Sequence, residues 1–147
     1  MDQHLDELAQ VDSLRSLFNA FTEKQEILHL LDRSLEADGV QIFYETVGQG
    51  SPAILFIPGW SLDGTLWWDQ AAHLSPTHQV ILIDLPGHGR SGANSSHWTM
   101  EAFGGDVESV VKDLALDKVI LVGHSMGGPV MVEAALRMPD RVVGLVG

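Results

Sequence analysis

The residues VILVGHSMGG (119–128) place a serine between glycines, directly after a short apolar run. The apolar run predicts a strand buried on both faces, and residues 126–138 predict a helix that the following proline ends. A chain that passes from strand to helix at one residue holds that residue, Ser125, in a strained conformation with positive φ. Gly123 and Gly127 have no side chains to collide across such a turn. We therefore expect the serine hydroxyl at the carboxyl end of a sheet, where open α/β sheets bind ligands.

Strands and helices alternate through most of the chain around this turn. Helices are predicted over residues 64–74 and from Thr99, as N-cap, to Leu114. Apolar or β-branched runs bounded by Gly and Pro predict strands over 40–48, 53–59, 79–87, 118–123 and 141–147. Buried strands that alternate with helices are typical of βαβ units, so the fold class is α/β, a mostly parallel sheet with helices on both faces.

The first part of the chain has a different pattern. Residues 3–36 carry apolar side chains at three- and four-residue steps, without an intervening Gly or Pro, which predicts a helix or helical hairpin. We therefore expect a helical N-terminal extension over residues 1–35 and a separate domain over residues 36–147. Three interpretations of the extension stay open: a helix laid on the domain, an oligomerisation helix, or a disordered leader.

Composition excludes several classes of function. The 147 residues have a formal net charge of −12, which disfavours nucleic acid and anionic membrane surfaces as partners. There are no cysteines, so disulfides, thiolate metal sites and cysteine nucleophiles are excluded. No apolar run approaches the roughly 18 residues of a membrane span. The acidic start MDQHLDELAQ does not have the pattern of a secretory signal, so the cytoplasm is the default location.

Three motifs together resemble the α/β-hydrolase family, and they follow three successive predicted strands in the family's order. They are FIPGW (56–60), DLPGHGRS (84–91) and GHSMGG (123–128). The resemblance covers residues 36–147 and stops after about the sixth strand of that fold. It implies a serine hydrolase that acts on a carboxylic ester or a similar small acyl compound through an acyl-enzyme, without a metal or organic cofactor.

The resemblance also implies roles for individual residues. Ser125 matches the nucleophile, in a turn known as the nucleophile elbow, and the backbone N–H of Met126 matches one donor of the oxyanion hole. The second donor would be the N–H of Trp60, after Pro58-Gly59, where family members often have His-Gly. Because the donor is a main-chain group, this departure is expected to be tolerated. A serine at the elbow argues against epoxide hydrolases and haloalkane dehalogenases, which resemble this fold but use Asp there.

Several other side chains near the motifs have two interpretations. Trp60, together with Trp67 or Trp68, forms the wall of an acyl pocket or belongs to ordinary packing. In DLPGHGRS, His88 is a candidate base on paper, but we expect Asp84 to brace loop amides and the loop to be structural. His124 is expected to face away from the attacking serine because adjacent side chains of an extended segment alternate. The remaining histidines have no spacing typical of metal ligands.

The partners of the serine are missing from this sequence. A serine nucleophile needs a histidine and an orienting carboxylate, which in this family follow it along the chain. After Ser125 the candidates are Glu133 and Asp140, and neither matches the acid's place. An apolar strand over residues 141–147 would also be left at the sheet edge. We therefore expect the chain to be an N-terminal piece of a longer hydrolase, with a catalytically inactive ligand- or partner-binding module as the alternative.

Overall fold

A six-stranded sheet organises the part of the chain that the computed structural model describes, which is Ser16 and residues 28–147. The chain divides into two units, Met1–Leu30 and Leu31–Gly147, and the sheet belongs to the second. The strands lie in the order β1-β2-β4-β3-β5-β6. Their bounds are β1 Leu31–Ala37, β2 Val40–Val47, β3 Ala53–Ile57, β4 Val80–Ile83, β5 Val119–Gly123 and β6 Val142–Val146.

Strand direction confirms the mostly parallel sheet. Strands β3 to β6 pair in parallel, whereas β2 is antiparallel to both β1 and β4. All residues of β3 and β4 are buried, as their continuous apolar sequences predict for strands covered on two faces. These buried strands position the loops at their carboxyl ends.

Helices cover both faces of the sheet. The described helices of the second unit are α1 (Trp68–Leu74), which continues a 3-10 helix over Gly64–Trp67, α2 (Met100–Asp113) and α3 (Gly127–Arg137). One face packs with α2 and α3 into a core that includes Leu55, Phe103 and Val130. On the other face, the ring of Phe56 lies 4.9 Å from that of Trp67 in the 3-10 helix.

The N-terminal prediction is wrong for residues 31–36, which we expected to be helical. They belong to β1, which pairs along its whole length with β2. The two strands are joined by Asp38 and Gly39, both with positive φ (50° and 78°). Two-residue turns of this kind match the twist of a hairpin, so the hairpin overrides the helical spacing of the apolar residues. Most of the extension lies outside the described residues, and the boundary at residues 35 and 36 stays a prediction.

The two longer helices follow their sequence signals. Thr99 is the N-cap of α2, as expected, and its hydroxyl accepts a hydrogen bond from the Ala102 N–H at 3.1 Å. The third helix ends two residues before Pro139. Within the described residues, no helix has both the length and the apolar content needed to cross a membrane. A cytoplasmic location stays a prediction.

Candidate active site

The turn between β5 and α3 has the strained geometry that its sequence predicts. Ser125 has a φ of 53° and its side chain is exposed. A methyl group on Gly123 would overlap the backbone of Gly127, because it would lie 2.6 Å from the carbonyl carbon of that residue. The N–H of Gly127 donates to the carbonyl of His124 at 2.8 Å, which closes the turn. The serine hydroxyl is therefore presented at the carboxyl end of the sheet.

The end of β3 lies directly against this turn. A methyl group on Gly127 would overlap the carbonyl group of Ile57 and lie 3.0 Å from the carbonyl oxygen of Pro58. A methyl group on Gly59 would lie 3.1 Å from Cβ of Ser125. Two of the three sequence motifs thus meet at the serine, and glycine is what allows this approach.

Two backbone N–H groups beside the serine are available as hydrogen-bond donors. Among the described residues, no protein acceptor takes a hydrogen bond from the N–H of Trp60 or of Met126. The turn that carries Trp60 is closed by a hydrogen bond from the N–H of Leu62 to the carbonyl of Gly59, at 3.2 Å. The Trp60 side chain is 65% exposed, and its ring meets the His88 ring edge-on at 5.3 Å. This is an arrangement that can bind an oxyanion, because the donors have no competing partner.

The three tryptophans of this region divide between surface and core. Trp68 is buried, and its indole N–H donates to the carboxylate of Glu45 at 3.2 Å, so it is not part of an acyl-pocket wall. Trp67 packs against Phe56, and its ring centroid lies 6.4 Å from that of His124. Its buried indole nitrogen has no hydrogen-bond acceptor among the described residues. Trp60 is left as the exposed tryptophan beside Ser125.

The loop over residues 84–91 is a structural brace, as its interpretation predicted. The carboxylate of Asp84 accepts hydrogen bonds from the N–H groups of Gly64 (2.7 Å) and Arg90 (2.9 Å). The Ser91 hydroxyl donates to the carbonyl of Asp84 at 2.6 Å. His88 is buried, with Nδ1 2.9 Å from the carbonyl oxygen of Pro86. Since a carbonyl can only accept, Nδ1 carries the proton and donates it to Pro86, and this bond ties the ring to its own loop.

Two buried carboxylates, one within the loop and one beside it, have shifted pKa values. Desolvation by burial raises the pKa of Asp84 above its ordinary value, and the two N–H donors offset only part of the rise. Burial also raises the pKa of Glu45, against the lowering effects of Trp68 and Arg90. The Arg90 guanidinium lies 2.7 Å from the Glu45 carboxylate and 3.6 Å from the centre of the Phe43 ring. No spacing in the sequence indicates this network, since its members come from distant strands and loops.

The structure does not bring a base to Ser125 within the described residues. No hydrogen bond there joins the serine hydroxyl to a histidine or a carboxylate. The His124 ring lies against the Pro58-Gly59 turn, where a methyl group on Gly59 would be 3.0 Å from its Nδ1. The same part of the chain contains no cluster of three or more potential metal ligands. The site therefore consists of an exposed serine, two free backbone donors and a braced loop.

Known proteins match both the sequence and this geometry. The chloroperoxidase CPO-A1 of Kitasatospora aureofaciens, a non-heme enzyme, is 42% identical over 92 residues, which cover 62% of this chain and 33% of that protein. The pimeloyl-acyl-carrier-protein methyl ester esterase of Edwardsiella ictaluri is 33% identical over 105 residues, 71% of this chain and 39% of that protein. The solved structure of Est816, described as an N-acyl homoserine lactone degrading enzyme, superimposes with a TM-score of 0.74 at 34% identity.

The matches are partial in length but consistent in family. The Est816 match covers 77% of this chain and 43% of that structure, so this chain spans less than half the length of each of these three relatives. A family model for the alpha/beta hydrolase fold matches residues 52–147, which contain all three motifs. The chain belongs to the alpha/beta hydrolase family.

Proposed function

We propose that this chain carries the nucleophile and the oxyanion hole of a serine hydrolase that acts on a carboxylic ester or a similar acyl compound. Ser125 attacks the acyl carbon and forms an acyl-enzyme, which water then hydrolyses. The N–H groups of Trp60 and Met126 stabilise the negative charge that develops on the acyl oxygen. One such donor contributes about 10²- to 10³-fold in rate.

The observation that carries the proposal is the conformation of Ser125. Its φ of 53° costs free energy, and strain of this kind persists where the surrounding structure requires it. The strained turn exposes the hydroxyl beside two N–H groups that have no acceptor among the described residues. A serine in an ordinary strand-to-helix connection needs neither feature.

The names of two relatives support an acyl substrate. One of them is named as a methyl ester esterase, and another is described as degrading N-acyl homoserine lactones. Both names refer to an ester or lactone bond, whose carbonyl carbon is the group that an activated serine attacks. We therefore favour esters and lactones over epoxides as the substrate class.

We further propose that the histidine and the acid that activate Ser125 lie outside this chain. The relatives above are more than twice as long as the parts that match. The intact mass of the protein from its native source tests this. A mass near 30 kDa, about the size of such relatives, supports the proposal. A mass of 16.0 kDa, that of these residues alone, contradicts it.

The alternative is a non-catalytic module that binds a ligand or partner. It is favoured by one observation, the lack of a base hydrogen-bonded to Ser125 among the described residues. The N–H groups of Trp60 and Met126 and the strained Ser125 count against it, because ligand binding without catalysis requires neither feature. The two functions differ in whether the serine is activated.

A fluorophosphonate probe distinguishes the two functions, because it labels activated serines. The complete protein that contains these residues is expected to be labelled, and Ser125→Ala is expected to remove the label. Ser96→Ala is the matched control, because Ser96 is an exposed serine whose hydroxyl lies 3.0 Å from a histidine nitrogen, that of His97. An unlabelled wild-type protein contradicts the hydrolase proposal and favours the binding module.

A further inference from the structure

We propose that Asp84 is a positioning residue for the oxyanion hole: its buried carboxylate holds the turn that carries the Trp60 N–H at the correct distance from Ser125. This inference rests on the proposed hydrolase function. Asp84 does not reach the serine or the substrate. It acts through the backbone of the segment over residues 59–64, called the oxyanion segment below.

The first step is the bond from Asp84 to the oxyanion segment. One carboxylate oxygen, Oδ1, accepts the N–H of Gly64 at 2.7 Å in a buried setting. A hydrogen bond to a charged acceptor is about twice as strong as a neutral one. The side chain of Asp84 is only 4% exposed, so water cannot replace the bond easily. The carboxylate therefore fixes the end of the oxyanion segment that leads into the 3-10 helix.

The second oxygen fixes the opposite loop. Oδ2 accepts the N–H of Arg90 at 2.9 Å. Gly89 lies so close that a methyl group there would overlap the carboxylate and lie 2.9 Å from Cβ of Asp63. One carboxylate thus joins the oxyanion segment to the loop over residues 84–91. Gly89 packs so closely against both that no side chain fits at this position.

The oxyanion segment is short and constrained between Gly64 and Trp60. The N–H of Leu62 donates to the carbonyl of Gly59, and Ser61 has a φ of 62°. The Trp60 ring also packs edge-on against His88 of the braced loop. We expect a shift of Gly64 to reach the N–H of Trp60, because the turn hydrogen bond and the ring contact restrict the segment between them.

The chemistry of the site requires a carboxylate and not an amide. Both Asp84 oxygens accept an N–H, and an asparagine has one oxygen and one NH₂ group. In Asp84→Asn, the NH₂ group faces one of the two N–H donors, and a buried donor loses its acceptor. We expect the oxyanion segment to move away from the braced loop in this variant.

The kinetic test uses the complete protein with a chromogenic short-chain ester. Asp84→Asn is expected to lower kcat by about 10- to 100-fold, less than the loss of a whole oxyanion donor, while KM stays within about twofold. The matched control is Asp106→Asn, the same change at a buried carboxylate in α2 (7% exposed). It is expected to leave kcat unchanged. An equal fall of kcat in both variants, or an unchanged kcat in Asp84→Asn, overturns the inference.

The structural test does not depend on catalysis. In amide NMR spectra of the complete protein, Asp84→Asn is expected to shift the signals of Gly64, Arg90 and Trp60, and Asp106→Asn to leave all three in place. If Gly64 and Arg90 shift and Trp60 does not, the carboxylate braces the loops without positioning the oxyanion donor, and the inference is wrong. A wild-type protein without esterase activity contradicts the proposed function, yet these spectra still decide the positioning role.

A measurement on the wild-type protein covers the case in which Asp84→Asn does not fold. As Asp84 is protonated, the three amide signals are expected to move with one common midpoint, above the ordinary aspartate value because burial raises the pKa of this group. Asp63 and Arg90 are the charged groups that act on Asp84 electrostatically. A Trp60 signal that does not follow the Gly64 and Arg90 signals contradicts the inference.

Discussion

At the scale of single residues, the absence of a side chain at Gly127 allows the turn that carries Ser125 to lie against the end of β3. Gly127→Ala is expected to lower the free energy of unfolding by about 2–3 kcal/mol, because the new methyl group overlaps the rigid carbonyl of Ile57. Urea denaturation of the two proteins measures this difference.

The neighbouring glycine is the matched control for that substitution. A methyl group on Gly128 would have no heavy atom within 4 Å. Gly128→Ala is expected to change the free energy of unfolding by less than about 1 kcal/mol, since the helix preference of alanine and the restriction by the next residue, Pro129, oppose each other. Equal losses in the two variants would show that the contact with β3 is not the cause.

A buried carboxylate in α2 makes stability depend on pH. Burial raises the pKa of Asp106 from 3.8 to about 7, the negative charge of Asp38 adds to the rise, and Arg137 opposes it. As the pH rises from 3.8 to about 7, the unfolded chain gives up this proton before the folded chain does. The contribution of Asp106 therefore lowers the free energy of unfolding progressively over that range.

Asp106→Asn removes the titration and its cost. We expect the variant to be more stable than the wild type at about pH 8, by about 1–2 kcal/mol after allowance for partial solvation, and the difference to shrink at about pH 5. Urea denaturation at both pH values checks the slope. Asp117→Asn makes the same change at an exposed position and is the control variant. A pH-independent difference for Asp106→Asn would refute this cause.

At the scale of secondary-structure elements, the start of α2 depends on one hydroxyl. Thr99→Ala leaves the Ala102 N–H without its protein acceptor and is expected to destabilise the chain by about 1 kcal/mol. Thr99→Ser keeps a hydroxyl in the same place and is expected to stay within about 0.5 kcal/mol of the wild type. Thermal unfolding of the three proteins tests the cap, and equal stability of the alanine and serine variants would contradict it.

At the scale of the whole molecule, the two edges of the described sheet differ in charge. The β1 edge carries Asp32, Arg33 and Glu36, whereas β6 is apolar along its length. Val143 and Leu145 of β6 are 53% and 46% exposed. Exposed apolar edge strands pair with other chains, and charged side chains prevent this pairing.

We therefore expect the 147-residue chain to associate through β6. Sedimentation velocity at about 100 μM is expected to give a mass above 16.0 kDa for the wild type and a lower mass for the Val143→Lys, Leu145→Lys double variant. Leu31→Lys, on the already charged β1 edge, is the control and is expected to change little. A wild-type chain that stays monomeric contradicts the expectation.

Association through the extension over residues 1–35 stays a separate prediction. Most of that segment lies outside the described residues. The same sedimentation experiment on a chain without residues 1–30, which keeps β1 complete, tests it. An unchanged number of chains per particle removes the extension as an association site, independently of the result for the double variant in β6.

The sequence by itself determined the parts of the fold that depend on neighbouring residues. Apolar runs of a few residues identified β3 to β6, and glycine spacing identified the strained turn at Ser125. The N-cap of α2 was identified in the same way. These features could be predicted because strand burial, turn geometry and helix capping each act over a few positions.

Only the tertiary structure decided the features that join distant residues. The Asp84 carboxylate meets Gly64 across 20 positions, and Glu45 meets Arg90 across 45. Gly104 has a low helix propensity, yet it allows α2 to pack closely against α3. A methyl group on Gly104 would lie 2.7 Å from Cβ of Glu133. The β1 strand likewise exists because β2 pairs with it. The pattern of neighbouring residues does not predict such contacts, because their free energy depends on a partner that is distant in the sequence and close only in the folded chain.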